Sequence, residues 1–123
     1  MAKNNLNVNN IDNSYELDSK LAKHEHYNLL YGFYESLLTE KQKEYFMNYY
    51  FYDLSLSEIA KNLNISRSAV FDAIEKIHKL LDEYEEKLLL FEKYQKREDI
   101  YTSLESIDND NVKKLVKELR DLD

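Results

Sequence analysis

Arg67, Ser68, Phe71, Asp72, Glu75 and Lys76 recur at the spacing of one helix face, and as a set they could read nucleic acid. An arginine at a helix start reaches a phosphate oxygen or the O6 and N7 edge of guanine. Ser66 just before it is a residue type that caps helices, and Ser55, Ser57 and Lys61 upstream could touch backbone phosphates. Two members oppose that chemistry. Asp72 and Glu75 would face phosphate oxygens unless each meets a cytosine amino group or pairs with Lys76 and Lys79, four residues on. With such pairing the face becomes a solvated helix surface. Composition sharpens the conflict, because 17 Lys and Arg stand against 24 Asp and Glu, a net charge of −7. Residues 54–82 are nevertheless neutral, with Lys61, Arg67, Lys76 and Lys79 against Glu58, Asp72, Glu75 and Asp82, and the excess acid lies mostly after residue 82. Local neutrality permits phosphate contact by a few side chains but supplies little of the counterion release behind tight nonspecific binding.

No other residue set competes as a catalytic or metal centre. Cysteine is absent, which removes disulfides, thiolate nucleophiles and thiolate metal ligands. There is no phosphate-cradling glycine loop, nucleophile elbow or His-Glu-x-x-His motif, so the sequence predicts neither an enzyme nor a cofactor. His24 and His26 point apart on a helix, and His78 stands alone. Asp108, Asn109 and Asp110 lack the glycine and distal glutamate of a calcium loop and read as a turn, with Asp110 as the expected cap of a last helix. The aromatic run Tyr45, Phe46, Tyr49, Tyr50, Phe51 and Tyr52 could stack on single-stranded bases, but its lysines, Lys41 and Lys43, lie upstream only. Packing within the fold or a dimer is the expected role of these rings.

The elements that must position the reading face are helices. With no proline and one glycine, Gly32, the chain has few breaks and is expected to be all-α, a helical bundle with a long C-terminal helix. Residues 1–14 are polar and aperiodic and are expected to form a disordered tail. Leu21, Tyr27, Leu30, Tyr31, Tyr34, Leu37 and Leu38 then mark a first helix beginning at Tyr15 or Leu21. Thr39-Glu40-Lys41-Gln42 and Ser55-Leu56-Ser57-Glu58 are capping boxes that start a second helix at Glu40 and a third after Ser55. Numbering a twenty-residue unit from Leu56 puts Ile59, Ala60, Leu63, Ile65, Val70 and Ala73 where the two helices of a helix-turn-helix share apolar contacts, with small Ala60 at the close crossing.

From Val70 the apolar residues Ile74, Ile77, Leu81, Tyr84, Leu88 and Phe91 follow at steps of 4, 3, 4, 3, 4 and 3. This heptad seam predicts a fourth helix running to about Arg97, roughly 48 Å long. Such a seam needs cover, either from the first helix folding back or from a second copy. The second copy is favoured, giving a homodimer with Ile74, Ile77, Leu81, Tyr84, Leu88 and Phe91 as candidate interface. Residues 15–97 thus form the helix-turn-helix domain and 98–123 an acidic helical segment ending in a helix with Val112, Leu115, Val116 and Leu119 on one face. No apolar run approaches the roughly 20 residues of a membrane span, and the N-terminal stretch lacks an apolar signal core. A cytoplasmic protein without direct membrane insertion is expected.

Leu37-Leu38-Thr39-Glu40-Lys41-Gln42, Leu54-Ser55-Leu56-Ser57-Glu58-Ile59-Ala60, Asn64-Ile65-Ser66-Arg67 and Tyr84-Glu85-Glu86-Lys87-Leu88, in that order, resemble the YlxM family over about Tyr27 to Arg97. The resemblance implies a small helical bacterial protein with a helix-turn-helix like the promoter-reading region 4 of sigma factors. It also implies an accessory or regulatory role in the signal recognition particle pathway, with that particle's protein or RNA as partner. Carried over by position, the DNA-reading role falls on Ser66, Arg67, Ser68, Phe71, Asp72, Glu75 and Lys76. The helix-turn-helix itself supports the alternative of a sequence-specific transcription regulator.

Overall fold

Side-chain caps set the helix starts, as the sequence predicts. In the computed structural model, which describes the backbone of residues 2–123 and the side chains of residues 17–123, both capping boxes are closed. Thr39 Oγ1 accepts from the Gln42 amide at 3.1 Å while Gln42 Oε1 accepts from the Thr39 amide at 2.9 Å. Ser55 and Glu58 repeat the exchange at 3.1 and 3.3 Å. Each pair satisfies backbone donors that the first helical turn leaves without partners. The helices they open are α2 (Glu40–Tyr50) and α3 (Leu56–Leu63), and they follow α1 (Ala2–Tyr34) and a short 3-10 turn, Glu35–Leu37. The chain continues as α4 (Arg67–Leu88), α5 (Leu90–Glu105) and α6 (Asp110–Leu122), with no strand among the described residues. The backbone of α1 extends back through residues expected to be a polar tail, a stretch with no glycine or proline to end a helix. The described side chains begin at residue 17.

The chain divides into two compact units, Met1–Lys87 and Leu88–Asp123. In the first, the core is Leu30, Tyr34, Phe46, Ile59, Val70, Ile77 and Leu81, all essentially inaccessible to solvent. Four helices, α1 to α4, feed it from the helical periodicity alone. The aromatic run divides as its period dictates, with Tyr45, Phe46 and Tyr50 buried and Phe51 and Tyr52 exposed. Phe46 is stacked between Tyr31 and Tyr50 at centroid distances of 4.1 and 4.3 Å.

The expected long seam is corrected in two respects. Helix α4 ends at Leu88, and Leu89 takes a left-handed backbone, φ 55° and ψ 32°, before α5 begins. A leucine there costs about 1–2 kcal/mol, so local preference gives no sign of the break. The upper seam is also covered within the chain by α1, the fold-back alternative. Tyr27 stacks on His78 at 3.9 Å and its hydroxyl donates to Asp82 at 2.8 Å, while the Tyr34 hydroxyl donates to Glu85 at 2.6 Å. Ile74, Ile77 and Leu81 are therefore buried in their own chain and unavailable to a second copy. Tyr84 is half-buried near Tyr34, Leu88 is exposed, and Phe91 belongs to α5.

In the second unit α5 and α6 pack through Tyr101 and Val116. Arg120 joins Glu98 and Glu105 at 2.6 Å each, and Arg97 and the Tyr101 hydroxyl both donate to the Asp123 carboxylate. The cap of α6 is Asn109, whose Oδ1 accepts from the Asn111 and Val112 amides, and not the expected Asp110, which is the first helical residue. The chain reaches the capping conformation one residue earlier, with Asn109 extended at φ −151° and ψ 118°.

Candidate nucleic-acid interface

The candidate surface is assembled by a turn of three residues. Asn64 closes α3 in a left-handed conformation, φ 57° and ψ 46°, which asparagine tolerates better than most side chains. The Ile65 amide then reaches back to the Ala60 carbonyl at 3.0 Å, using an acceptor at the helix end. Ser66 opens α4, its Oγ accepting from the Ala69 amide at 3.1 Å. Ile59, Ala60 and Val70 are buried between the helices, and Ile65 is half-buried at the corner. These are the positions the periodicity assigns to the crossing.

All ten predicted contact residues, Ser55, Ser57, Lys61, Ser66, Arg67, Ser68, Phe71, Asp72, Glu75 and Lys76, are exposed. They lie on α3, its cap, the Ser66 cap of α4 and the first three turns of α4. The expected pairing of Asp72 with Lys76 and Glu75 with Lys79 is not made among the described residues. Glu75 lies instead beside His78, Oε1 to Nδ1 3.5 Å, because an i to i+3 neighbour on the buried side competes for it. Lys76 is left facing solvent.

His78 is the one charged or polar side chain buried in the described core. Its Nε2 faces the Tyr50 hydroxyl at 2.5 Å, and a neutral imidazole with its own hydrogen on Nδ1 accepts a hydrogen bond there from the hydroxyl. Burial holds the imidazole below its ordinary range and prevails over the opposing carboxylates of Glu75 and Asp82; Lys23 acts in the same direction as burial. The neighbouring phenols move the other way, Tyr27 pushed up to about 12 by burial and by its bond to Asp82, and Tyr50 raised by burial. Both stay protonated at neutral pH.

A pH dependence follows from His78. Its protonation in the unfolded chain begins near pH 6.5, whereas the folded chain takes up that proton only at lower pH. Stability is then intact above about pH 6.5 and declines as pH falls toward the folded value, at no more than about 1.4 kcal/mol per pH unit from this group. Urea unfolding across that range should show a steeper acid loss for the native chain than for His78→Gln. Parallel curves would remove His78 from the linkage.

Beside Phe71 and Glu75 opens a cleft of about 410 Å³ between α1, α2, α3 and α4, lined also by Lys20, Lys23, His24 and Tyr49. Sequence reading missed this extension. Lys20 and Lys23 lie some 50 positions before Phe71, and only the packing of α1 on α4 brings them to the same opening. His24 tilts onto Tyr50 at 4.6 Å while His26 faces Asp82 at 3.2 Å, so the two histidines diverge as their spacing predicts.

An all-helical chain whose third and fourth helices are joined by this turn, with a buried crossing and an exposed polar face, is a helix-turn-helix protein. Residues 21–122 match UPF0122, the YlxM / p13-like helix-turn-helix proteins. A UPF0122 protein of Bacillus velezensis is 48% identical over 87 residues, spanning 71% of this chain and 79% of the relative. One from Bacillus cereus strain AH187 is 41% identical over 109 residues, 84% of this chain and 99% of the relative. The chain belongs to the UPF0122 family, and the likeness extends past Arg97, where the motif resemblance ended, through α6.

Proposed function

We propose that this protein acts by binding rather than by catalysis, contacting nucleic acid through α3 and the start of α4 as an accessory or regulatory component of the signal recognition particle pathway. The observation that carries the binding surface is the segregation within one motif: Ile59, Ala60 and Val70 are buried while all ten polar or aromatic contact positions are open to solvent. A helix-turn-helix needs that division to present base-reading side chains without exposing its crossing. Arg67 is the principal contact, in the first turn of α4, where backbone amides add positive potential. The pathway assignment rests on family resemblance, and the locally neutral surface favours it over tight nonspecific DNA binding.

Arg67→Glu tests the surface. With RNA of the signal recognition particle as probe, reversal should weaken binding about tenfold or more and flatten its salt dependence. Unchanged affinity would remove this face from the interface. Recovery of the particle's protein or RNA with the tagged protein would support the pathway, whereas recovery of a few promoter fragments instead would favour a transcription regulator.

A further inference from the structure

The cleft beside the reading helix holds a combination that duplex recognition does not require. Two exposed lysines, Lys20 and Lys23, stand on its α1 wall, and neither joins an ion pair among the described residues. Phe71, on α4, leaves 49% of its surface in solvent, and Tyr49, on α2, is held edge-on against Tyr50 at 5.0 Å. His78 also lines the opening. Its Nδ1 is buried and lies 3.5 Å from Glu75 Oε1, so that carboxylate is directed at the imidazole and away from the opening.

We propose that this cleft takes one unpaired nucleotide of the nucleic acid held by the helix-turn-helix, its base against Phe71 and Tyr49 and its phosphate on Lys20 and Lys23. The proposal rests on the nucleic-acid reading given above and narrows it to looped or single-stranded segments. The volume, about 410 Å³, lies in the range of small-ligand clefts. The chemistry is also divided as a nucleotide requires. Aromatic surface lies within the opening, ammonium groups stand on its α1 wall, and the single carboxylate among the lining residues, Glu75, is turned toward His78. A base inside a duplex cannot reach aromatic side chains, whereas an unpaired one offers both faces for stacking. Lys20 and Lys23 also place positive charge beside a reading helix that is itself neutral over its motif.

The shared ligand chemistry has two sources, an RNA loop or single-stranded DNA, and the test separates them. Because stacking is tolerant of sequence, the probes are a short RNA stem-loop, a DNA strand of the loop sequence, and the blunt DNA duplex of that strand. Each carries the fluorescent base 2-aminopurine. The intact protein should bind an unpaired probe more tightly than the duplex and change the fluorescence of its unpaired base. Phe71→Ala should abolish that change and weaken binding roughly 5- to 150-fold. Lys20→Glu with Lys23→Glu should weaken it about tenfold or more and reduce the salt slope. All three positions are exposed, and unaltered thermal unfolding verifies that the variants fold. Preference for the stem-loop over the strand identifies RNA as the source, and the reverse preference identifies DNA. If Arg67→Glu weakens binding but the cleft variants leave both affinity and fluorescence unchanged, the cleft proposal is overturned and the nucleic-acid reading stands. If no probe binds, both fall.

Discussion

Leu81→Asp is expected to abolish the cooperative unfolding transition, whereas Leu88→Asp, one heptad further along the same seam, should leave it in place. Leu81 is fully buried in the first unit; Leu88 is 45% exposed at the end of α4. Removing a buried leucine costs about 2–5 kcal/mol, and a carboxyl group in its place must either stay ionised without a partner or take up a proton at further cost. The sum approaches the roughly 5–15 kcal/mol by which a whole domain is stable. At Leu88 neither penalty applies, because the new carboxylate remains in water. Circular dichroism with urea titration distinguishes the two variants. Equal losses would mean that Leu88 is covered as Leu81 is, and equal tolerance would remove Leu81 from the core. Sedimentation adds a second readout: a folded Leu88→Asp chain with half the native mass would place a homodimer contact at the end of α4, the part of the seam that the chain does not itself cover.

Phe46→Ala should lower stability by about 3–5 kcal/mol, the range for deleting a buried phenylalanine. The ring has no solvent exposure and stacks on Tyr31 at an interplanar angle of 3° and on Tyr50 at 18°. Its loss opens a cavity between α1 and α2 and removes support from Tyr50, whose hydroxyl holds His78 at 2.5 Å. At roughly 4–8 °C per kcal/mol for a domain of this size, the thermal midpoint should fall by at least about 12 °C. Phe46→Leu, which restores much of the volume, should lose less. A small shift for Phe46→Ala would show that the three-ring stack is not a principal support of the unit.

The sequence by itself determined the features whose physical cause acts over a few residues. Thr39 with Gln42, Ser55 with Glu58, and Ser66 with Ala69 are contacts at i to i+3, so the starts of α2, α3 and α4 are written in adjacent residue types. The helix-turn-helix crossing was legible for the same reason, because 3.6-residue periodicity puts Ile59, Ala60 and Val70 on facing sides of two joined helices. Only the tertiary structure decided what covers the seam and what surrounds the candidate face. Tyr27 meets Asp82, and Tyr34 meets Glu85, across separations of 55 and 51 residues. A heptad states that an apolar stripe needs a partner but cannot distinguish α1 of the same chain from α4 of another, since both would bury it equally. Leu89 was hidden for a related reason: its left-handed backbone opposes its own preference, and such a conformation persists only where the surrounding structure imposes it. The cleft lay beyond reach too, because Lys20, Lys23, Tyr49 and Phe71 acquire a common neighbourhood only when α1 packs across α4, a contact set by long-range burial.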